Sequence, residues 1–267
     1  MVKIPSLHIK MAGVFGLVVL LMACTKENLS PYEYPGQSAV IKELILDCNQ
    51  SQLSSQAYFW TNIMGFELAA SSNTGFSVKT GQSTLTFRRD QNGYGGNYQF
   101  TFEIPENQIE NARTWILKRS SVVQDASTGA EIQHKSKQNA HSLFFRDPAG
   151  NLVEFIARHN LKNAREGEFQ KEMILGISNA TVVTRNVKDC GDTLFNQFQL
   201  PGIQGSSNSV KLCGGQEGTI TLHVPYRAYY PTEDNQALSY RMVVVIRNPV
   251  SKEFKLPGSE ATIRSEP

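Results

Sequence analysis

HSLFFRDPAGNLVEFIA, His141 to Ala157, reads as two strands joined by a turn. Apolar residues recur on both sides of Asp147 to Asn151, and that run carries the Asp, Pro, Gly and Asn that tight turns use. The second strand holds a carboxylate, Glu154, between Val153 and Phe155. A carboxylate facing a closed interior costs several kcal/mol unless it is paired or bound to a metal, so which way Glu154 faces decides whether it has a task. With the opposite strand parity it is an edge charge in solvent.

Working outward, the same order of elements recurs. VIKELILDCNQ from Val40 alternates as a strand, and QLSSQAYFWTNIMGF then sets Leu53, Ala57, Trp60 and Met64 at helical spacing. Asn49 with Gln52 suggests a helix start, and Gly65 a helix end. The runs FELAAS, GFSVKT and STLTFRR follow as short strands. A second unit opens at Tyr98 to Ile104, with Ile109, Ala112 and Ile116 on the inner face of its helix, and closes through His141 to Ala157. A third opens at MILGISNATVV, with Val187, Leu194, Phe195 and Phe198 on one helical face. The spacing from Asn49 to Gly65 is repeated from Asn186 to Gly202, SVKTGQSTLTF matches SVKLCGGQEGTITL, and YQFTFEIP matches YRMVVVIR.

The pattern predicts an α+β protein of paired βαβββ modules forming a cupped mixed sheet, with a degenerate third module and a truncated fourth. Residues 39–162 are expected to form one two-module domain and 163–171 a linker. Residues 172–255 hold the third module and the first strand of a fourth, and 256–267 a C-terminal tail. Trp60, Phe66, Trp115, Phe144 and Phe155 fall at core-like positions.

MVKIPSLHIK followed by MAGVFGLVVLLMAC has the charged start and short apolar run of a signal peptide over residues 1–24. LMAC resembles a bacterial lipobox, which makes Cys24 the lipidated first residue and 25–38 a flexible tether. The chain is then exported and held by its lipid at a bacterial membrane, facing the periplasm or the exterior. A plain signal peptide or an uncleaved anchor is the alternative. Export makes Cys190 with Cys213 a candidate disulfide; three buried thiols, with Cys48, is the other reading. The net charge of +2, with dispersed Lys and Arg, points to no nucleic-acid partner. No GxGxxG, GxxxxGK[ST] or GxSxG run occurs, so nucleotide-loop and serine-hydrolase chemistry have no support in the sequence.

FFRDPAGNLVEFI, preceded by a strand and a helix ending FWTNIMGFEL, resembles the vicinal oxygen chelate superfamily, which includes glyoxalase I, extradiol dioxygenases and bleomycin resistance proteins. The resemblance covers residues 39–162 well and 172–248 more faintly. It implies two paired modules curled around a cavity, with metal ligands from the first and last strand of each. By register those places are Glu43, Thr86, Gln99 and Glu154, with no His among them. Glu43, Gln99 and Glu154 would suit a hard divalent cation, Mg, Mn or Fe(II). His141 becomes the candidate acid or base, with Tyr98, Arg146 and His159 behind it. In the third module Ala180 stands at the place of Glu43 and Thr221 at that of Thr86. Two functions follow: a metal-dependent lyase, isomerase or dioxygenase acting on a small oxygen-chelating substrate, or a non-catalytic small-molecule binder or structural lipoprotein. Oligomeric state is open.

Overall fold

The computed structural model describes residues 32–34, 38–93, 95–204 and 207–267. The signal peptide expected over residues 1–24, with Cys24, and most of the tether expected over 25–38 fall outside the described residues. Among those described, no helix is long and apolar enough to cross a membrane.

The first module runs β1 (Ile41–Cys48), α1 (Leu53–Tyr58, continued by a π turn over Phe59–Ile63), β2 (Leu68–Ser72), β3 (Gly75–Thr80) and β4 (Ser83–Arg89). Asn49 starts the helical segment by accepting a 3.0 Å bond from the Ser51 amide, and Gly65 ends it at φ +76°, a conformation that costs glycine little. The second module comprises β5 (Gln99–Ile104), α2 (Ile109–Leu117), β6 (Val122–Val123), β7 (Ile132–Lys135), β8 (Ala140–Arg146) and β9 (Leu152–Arg158). The third has β10 (Gly176–Val183), α3 (Val187–Phe198), β11 (Val210–Gly215) and β12 (Gly218–His223). The fourth is three strands without a helix, β13 (Met242–Arg247), β14 (Lys252–Lys255) and β15 (Ala261–Glu266).

Within every module the first and last strands pair in parallel: β1 with β4, β5 with β9, β10 with β12, β13 with β15. Between modules the first strands pair antiparallel, and here the structure departs from the expected pairing. β1 joins β13 and β5 joins β10, so the first module shares a sheet with the fourth and the second with the third. Residues 39–162 are therefore split between two sheets, because periodicity defines a module but not the neighbour its free edge meets. The expected tail over 256–267 contains β15, whose Ala261 and Ile263 are buried, so the fourth module extends well past its first strand.

One apolar cluster draws on both sheets and the helices. Leu44, Leu46, Leu85 and Phe87 enter it from the first sheet, and Phe100, Phe102, Val153 and Phe155 from the second. Trp60 is fully buried between them, with ring centroids 5.6 Å from Phe66, 6.2 Å from Phe87 and 6.0 Å from Phe102. Its indole N–H donates to Gln56 Oε1 at 3.1 Å. Tyr98 ties the sheets together at the start of β5, its hydroxyl accepting from the Asp47 amide and donating to the Arg241 carbonyl at 2.7 Å. Phe195, expected on the inner face of α3, is exposed, and Phe198 and Leu194 fill that face.

Two outcomes follow. Residues 39–162 expressed alone lose both antiparallel partners, β10 and β13, and urea titration by circular dichroism should show no cooperative transition where the full chain gives one. Trp60→Ala should cost about 3–5 kcal/mol in the same measurement on the full chain.

Candidate functional site

The turn that decides the fold also anchors the site. Asp147 is buried and accepts from the Ala149 and Asn151 amides at 3.0 Å and from Asn151 Nδ2 at 2.8 Å, while Gly150 takes φ +85°. Asn151 Oδ1 in turn accepts from the Tyr98 amide at 2.9 Å, which sets β5 against β9. Burial pushes the Asp147 carboxyl up to about 6 against the lowering effect of these bonds.

The hairpin register then fixes which side chains share a face. Glu154 lies opposite Phe144 and beside Thr101, whereas His141 lies opposite Ala157. Phe144 and Leu152 belong to a small cluster with Val183, Tyr229 and Ala237 on one side of the sheet. Leu143, Phe145, Phe155 and Ala157 belong to the main core on the other. Glu154 thus faces a cavity of about 340 Å³ on the cupped face of the second sheet. His141 is on the reverse face with the core residues, and the acid or base role expected of it in the cavity does not hold. The reason is the two-residue period of a strand: an odd offset from Phe144 turns the side chain away.

The expected ligand set is dispersed. Glu154 and Gln99 both line the cavity. Glu43 sits in the first sheet, where it accepts from Thr86 Oγ1, and Thr86 in turn is 2.8 Å from Ser77 Oγ. The cause is the module pairing, since β5 takes β10 rather than β1 as its antiparallel partner. Gln99 Nε2 donates to the Tyr230 carbonyl at 3.1 Å. Tyr98 is a buried clamp between sheets, Arg146 pairs with Asp234 at 3.0 Å, and His159 bonds to His141 on the reverse face.

At the cavity floor one polar network crosses the junction of the second and third modules. Lys135 Nζ donates to Glu154 Oε1 at 2.5 Å, and Thr101 Oγ1 donates to Glu154 Oε2 at 2.7 Å. Thr219 and Thr221 donate to Asn179 Oδ1 at 2.9 and 2.7 Å, and Asn179 Nδ2 reaches Thr101 at 3.5 Å. Asn179 stands opposite Thr101 across the β5/β10 pair, so Asn179, not Ala180, is the cavity residue of the third module's first strand. Ala180 is buried in the core. Thr221 does face the cavity.

The walls supply charge and rings. Lys135 Nζ lies 5.2 Å from the Phe144 ring centroid and 5.9 Å from that of Tyr230. Asp125 accepts from the Ser127 and Thr128 amides and hydroxyls, which hold its carboxyl well below the usual range, and Tyr230 adds a side-chain bond. Arg158 is buried, donates to Glu103 Oε2 and to Ser178 Oγ at 3.0 Å, and is lowered to about 10 by burial. The cavity's histidine is His223. Its Nδ1 is 2.6 Å from the Val224 carbonyl, so that nitrogen carries the proton and Nε2 keeps a lone pair. Burial lowers the His223 imidazole, keeping it neutral near pH 7.

Lys135, Asn179, His223, Arg227 and Tyr230 were missed by sequence reasoning. Asn179 carries the signal that singled out Glu154, a polar residue among apolar ones on a strand, and Thr219, Thr221 and His223 follow at two-residue steps. The loop Tyr226 to Gln236 contributes Arg227, Ala228 and Tyr230 to the cavity wall. Cys190 and Cys213 are free and buried, on α3 and β11, and no disulfide joins them. Burial raises both thiols, Cys213 to about 12.

Solved structures share this architecture. A structure from Bacillus subtilis subsp. subtilis str. 168, titled "putative dioxygenase", superposes with TM-score 0.55 at 13% identity over 86% of this chain and 86% of that one. Glyoxalase I from Zea mays superposes with TM-score 0.53 at 9% identity over 85% of this chain and 92% of its own. No family model and no curated protein matches the sequence. The fold is the paired-module βαβββ fold of the vicinal oxygen chelate proteins.

Proteins of that fold with glyoxalase or dioxygenase activity commonly hold a divalent metal in the cup, and the donor set here does not fit one. Glu154 is the only carboxylate lining the cavity among the described residues, and its two oxygens are committed to Lys135 and Thr101. The remaining floor donors are an amide and hydroxyls, and no three His, Cys, Asp or Glu side chains among the described residues stand at metal-ligand spacing.

The Lys135–Glu154 pair is a stability element as well as a site element. Lys135→Met leaves a buried carboxylate without its cation and should destabilise by about 2–3 kcal/mol, less than a fully buried pair because the lysine is a fifth exposed. Lys135→Met combined with Glu154→Leu should recover most of that loss, measured by urea unfolding.

Proposed function

We propose that the protein binds a small, oxygen-rich, monoanionic organic molecule in the cup of the second sheet, without a metal. The observation that carries this reading is the Lys135–Glu154 ion pair on the cavity floor. An ammonium group occupies the place where a chelated cation would otherwise neutralise the carboxylate. An ammonium has three donors, and Glu154 takes one of Lys135's, leaving donors for a ligand carboxylate, carbonyl or hydroxyl. The charge balance supports an anion. Lys135 is matched by Glu154 and Arg158 by Glu103, while Arg227 at the wall donates to Ser209 Oγ and has no carboxylate partner among the described residues. Thr101, Thr181, Thr219, Thr221 and Asn179 offer paired donors and acceptors suited to hydroxyl groups, and the cavity volume suits a molecule of monosaccharide size.

The reading as a metal-dependent lyase, isomerase or dioxygenase requires Glu43, Gln99 and Glu154 to converge, and the separation of Glu43 into the other sheet weighs against it. The test is a thermal-shift screen in EDTA against aldonic and uronic acids, with neutral sugars as the comparison. A member of the acid panel should raise the melting temperature of the wild type, and Arg227→Ala should lose about tenfold in affinity for it. No shift with any acid, or a shift abolished by EDTA and restored by manganese or iron, would overturn the metal-free reading.

We also propose, from the sequence, that the chain is exported and lipid-anchored through Cys24 to a bacterial membrane. Cells making the wild type should retain the protein in the membrane fraction and label it with radioactive palmitate. Cys24→Ser should abolish the label and release the protein, and label persisting in that variant would exclude the lipobox assignment.

A further inference from the structure

Tyr32 lines the cavity of the second sheet although it precedes the first module and lies in the stretch expected as a flexible tether. Its amide donates to the Lys137 carbonyl at 2.7 Å, and the Lys137 ammonium lies 5.8 Å from its ring centroid. Tyr34 meets Tyr32 edge to face, with ring centroids 6.4 Å apart and planes at 89°, and the Arg158 guanidinium donates to the Tyr34 hydroxyl. Both tyrosines are half-buried, and Glu33 between them is exposed. That alternation belongs to a segment laid against a surface.

The root of this arm is seated as well. Ser38 Oγ accepts from the Glu217 amide at 3.1 Å, and the Ala39 amide donates to the Gly218 carbonyl at 2.9 Å. Ala39 is buried, and a Cβ on Gly218 would strike its carbonyl, so the turn between β11 and β12 leaves room for this backbone and for nothing more. Strand register shows where these contacts lie. Ile104 pairs with Ala157, Glu103 with Gly176 and Asn179 with Thr219, which puts the end of β9 and the start of β12 on one rim of the second sheet. The loop carrying Tyr230 is at the other rim, where Gln99 at the start of β5 donates to the Tyr230 carbonyl. The described arm residues thus touch the third module at Gly218 and the second at Lys137 and Arg158, on the rim opposite that loop.

We propose that the N-terminal arm is a wall of the ligand site, with Tyr32 contacting the bound molecule and Tyr34 a positioning residue that holds Tyr32 in place; this rests on the ligand-binding reading above. The floor of threonines, Asn179 and the Lys135–Glu154 pair answers hydroxyl and carboxylate groups. A polyhydroxylated acid also carries C–H surface, which a hydrogen-bonding floor does not cover. Tyr32 at one rim and Tyr230 at the other supply flat apolar rings with a polar tip, the kind of group that covers such surface and excludes water. Burial raises the Tyr32 and Tyr34 phenols, so both stay neutral near pH 7. The cup therefore depends on residues that none of the four modules contains.

The experiment is isothermal titration of gluconate and glucuronate, with glucose as the neutral comparison, into the full chain in EDTA. Tyr32→Ala, Tyr34→Phe, the double variant and Glu33→Gln are titrated beside the wild type, and circular dichroism confirms the fold of each. At least one acid should bind the wild type. Tyr32→Ala should weaken that binding at least about fivefold and Tyr34→Phe about threefold, while Glu33→Gln binds as the wild type. The double variant should bind no more weakly than Tyr32→Ala alone, because Tyr34 acts through Tyr32; a purely structural role would give additive losses. Acid binding that Tyr32→Ala leaves unchanged, an equal loss in Glu33→Gln, or additive losses in the double variant would overturn the proposal while the ligand-binding reading stands. No binding of either acid to the wild type would overturn it through the reading it rests on, so the two failures are distinguishable.

Discussion

The antiparallel pairing of first strands, β5 with β10 and β1 with β13, is the contact from which the rest of the molecule follows. Each module alone has a sheet whose first strand presents an open row of backbone donors and acceptors, and that row must be paired. Because the second module closes on the third, the cup contains Glu154 from β9 together with Asn179, Thr219 and Thr221 from β10 and β12. Had it closed on the first module, Glu43 and Thr86 would have lined the same hollow. The choice of edge partner thus determines the chemistry of the cavity without changing a residue in it.

Inside that cup the electrostatics are closed locally. A carboxylate as buried as Glu154 needs a countercharge and bonds to both oxygens, and Lys135 and Thr101 provide them. The same solution recurs deeper in the sheet, where Arg158 answers Glu103, and at the sheet junction, where Arg88 and Arg241 flank buried Asp47. Three buried carboxylates are thus matched by side-chain cations. This repetition fits a protein whose charges are settled by its own side chains, and it explains why Glu154 can stay buried without a metal.

How far the sequence carried the reading depended on the kind of signal each residue gave. The modules were legible because strand and helix periods repeat with conserved spacing between Asn49 and Gly65 and between Asn186 and Gly202. The strand's residues left the parity of Glu154 open, and its placement toward a cavity was legible only through the register that the family resemblance implies. His141 was misplaced because the hairpin register across Asp147 to Asn151 is set by the turn, and a one-residue difference in parity reverses the face. Asn179 carried a readable signal, but alignment of the faint third module one residue off put Ala180 in its place; a bulge between Ile177 and Asn179 against β5 shifts that register. Lys135 had no signal at all, since β7 is short, polar and flanked by turn residues, and only pairing with β8 makes it a strand. Module partnership was likewise invisible, being a contact between segments far apart in the chain.

The third module shows why degeneracy at a ligand position does not make a module structural. Asn179 and Thr221 cannot replace a carboxylate or an imidazole as metal ligands, yet Asn179 Oδ1 accepts from both Thr221 and Thr219 on the adjacent strand. Through Asn179 they also reach Thr101, and through Thr101 they reach Glu154. A network of this kind is a rigid surface of donors and acceptors in a fixed pattern, which selects ligands by hydrogen-bond geometry where a metal would select them by chelation. His223 ends the same row with an unprotonated Nε2, and Arg227 and Tyr230 close the wall above it. Under the proposed reading, recognition in this cup rests on a hydrogen-bonding floor and not on chelation.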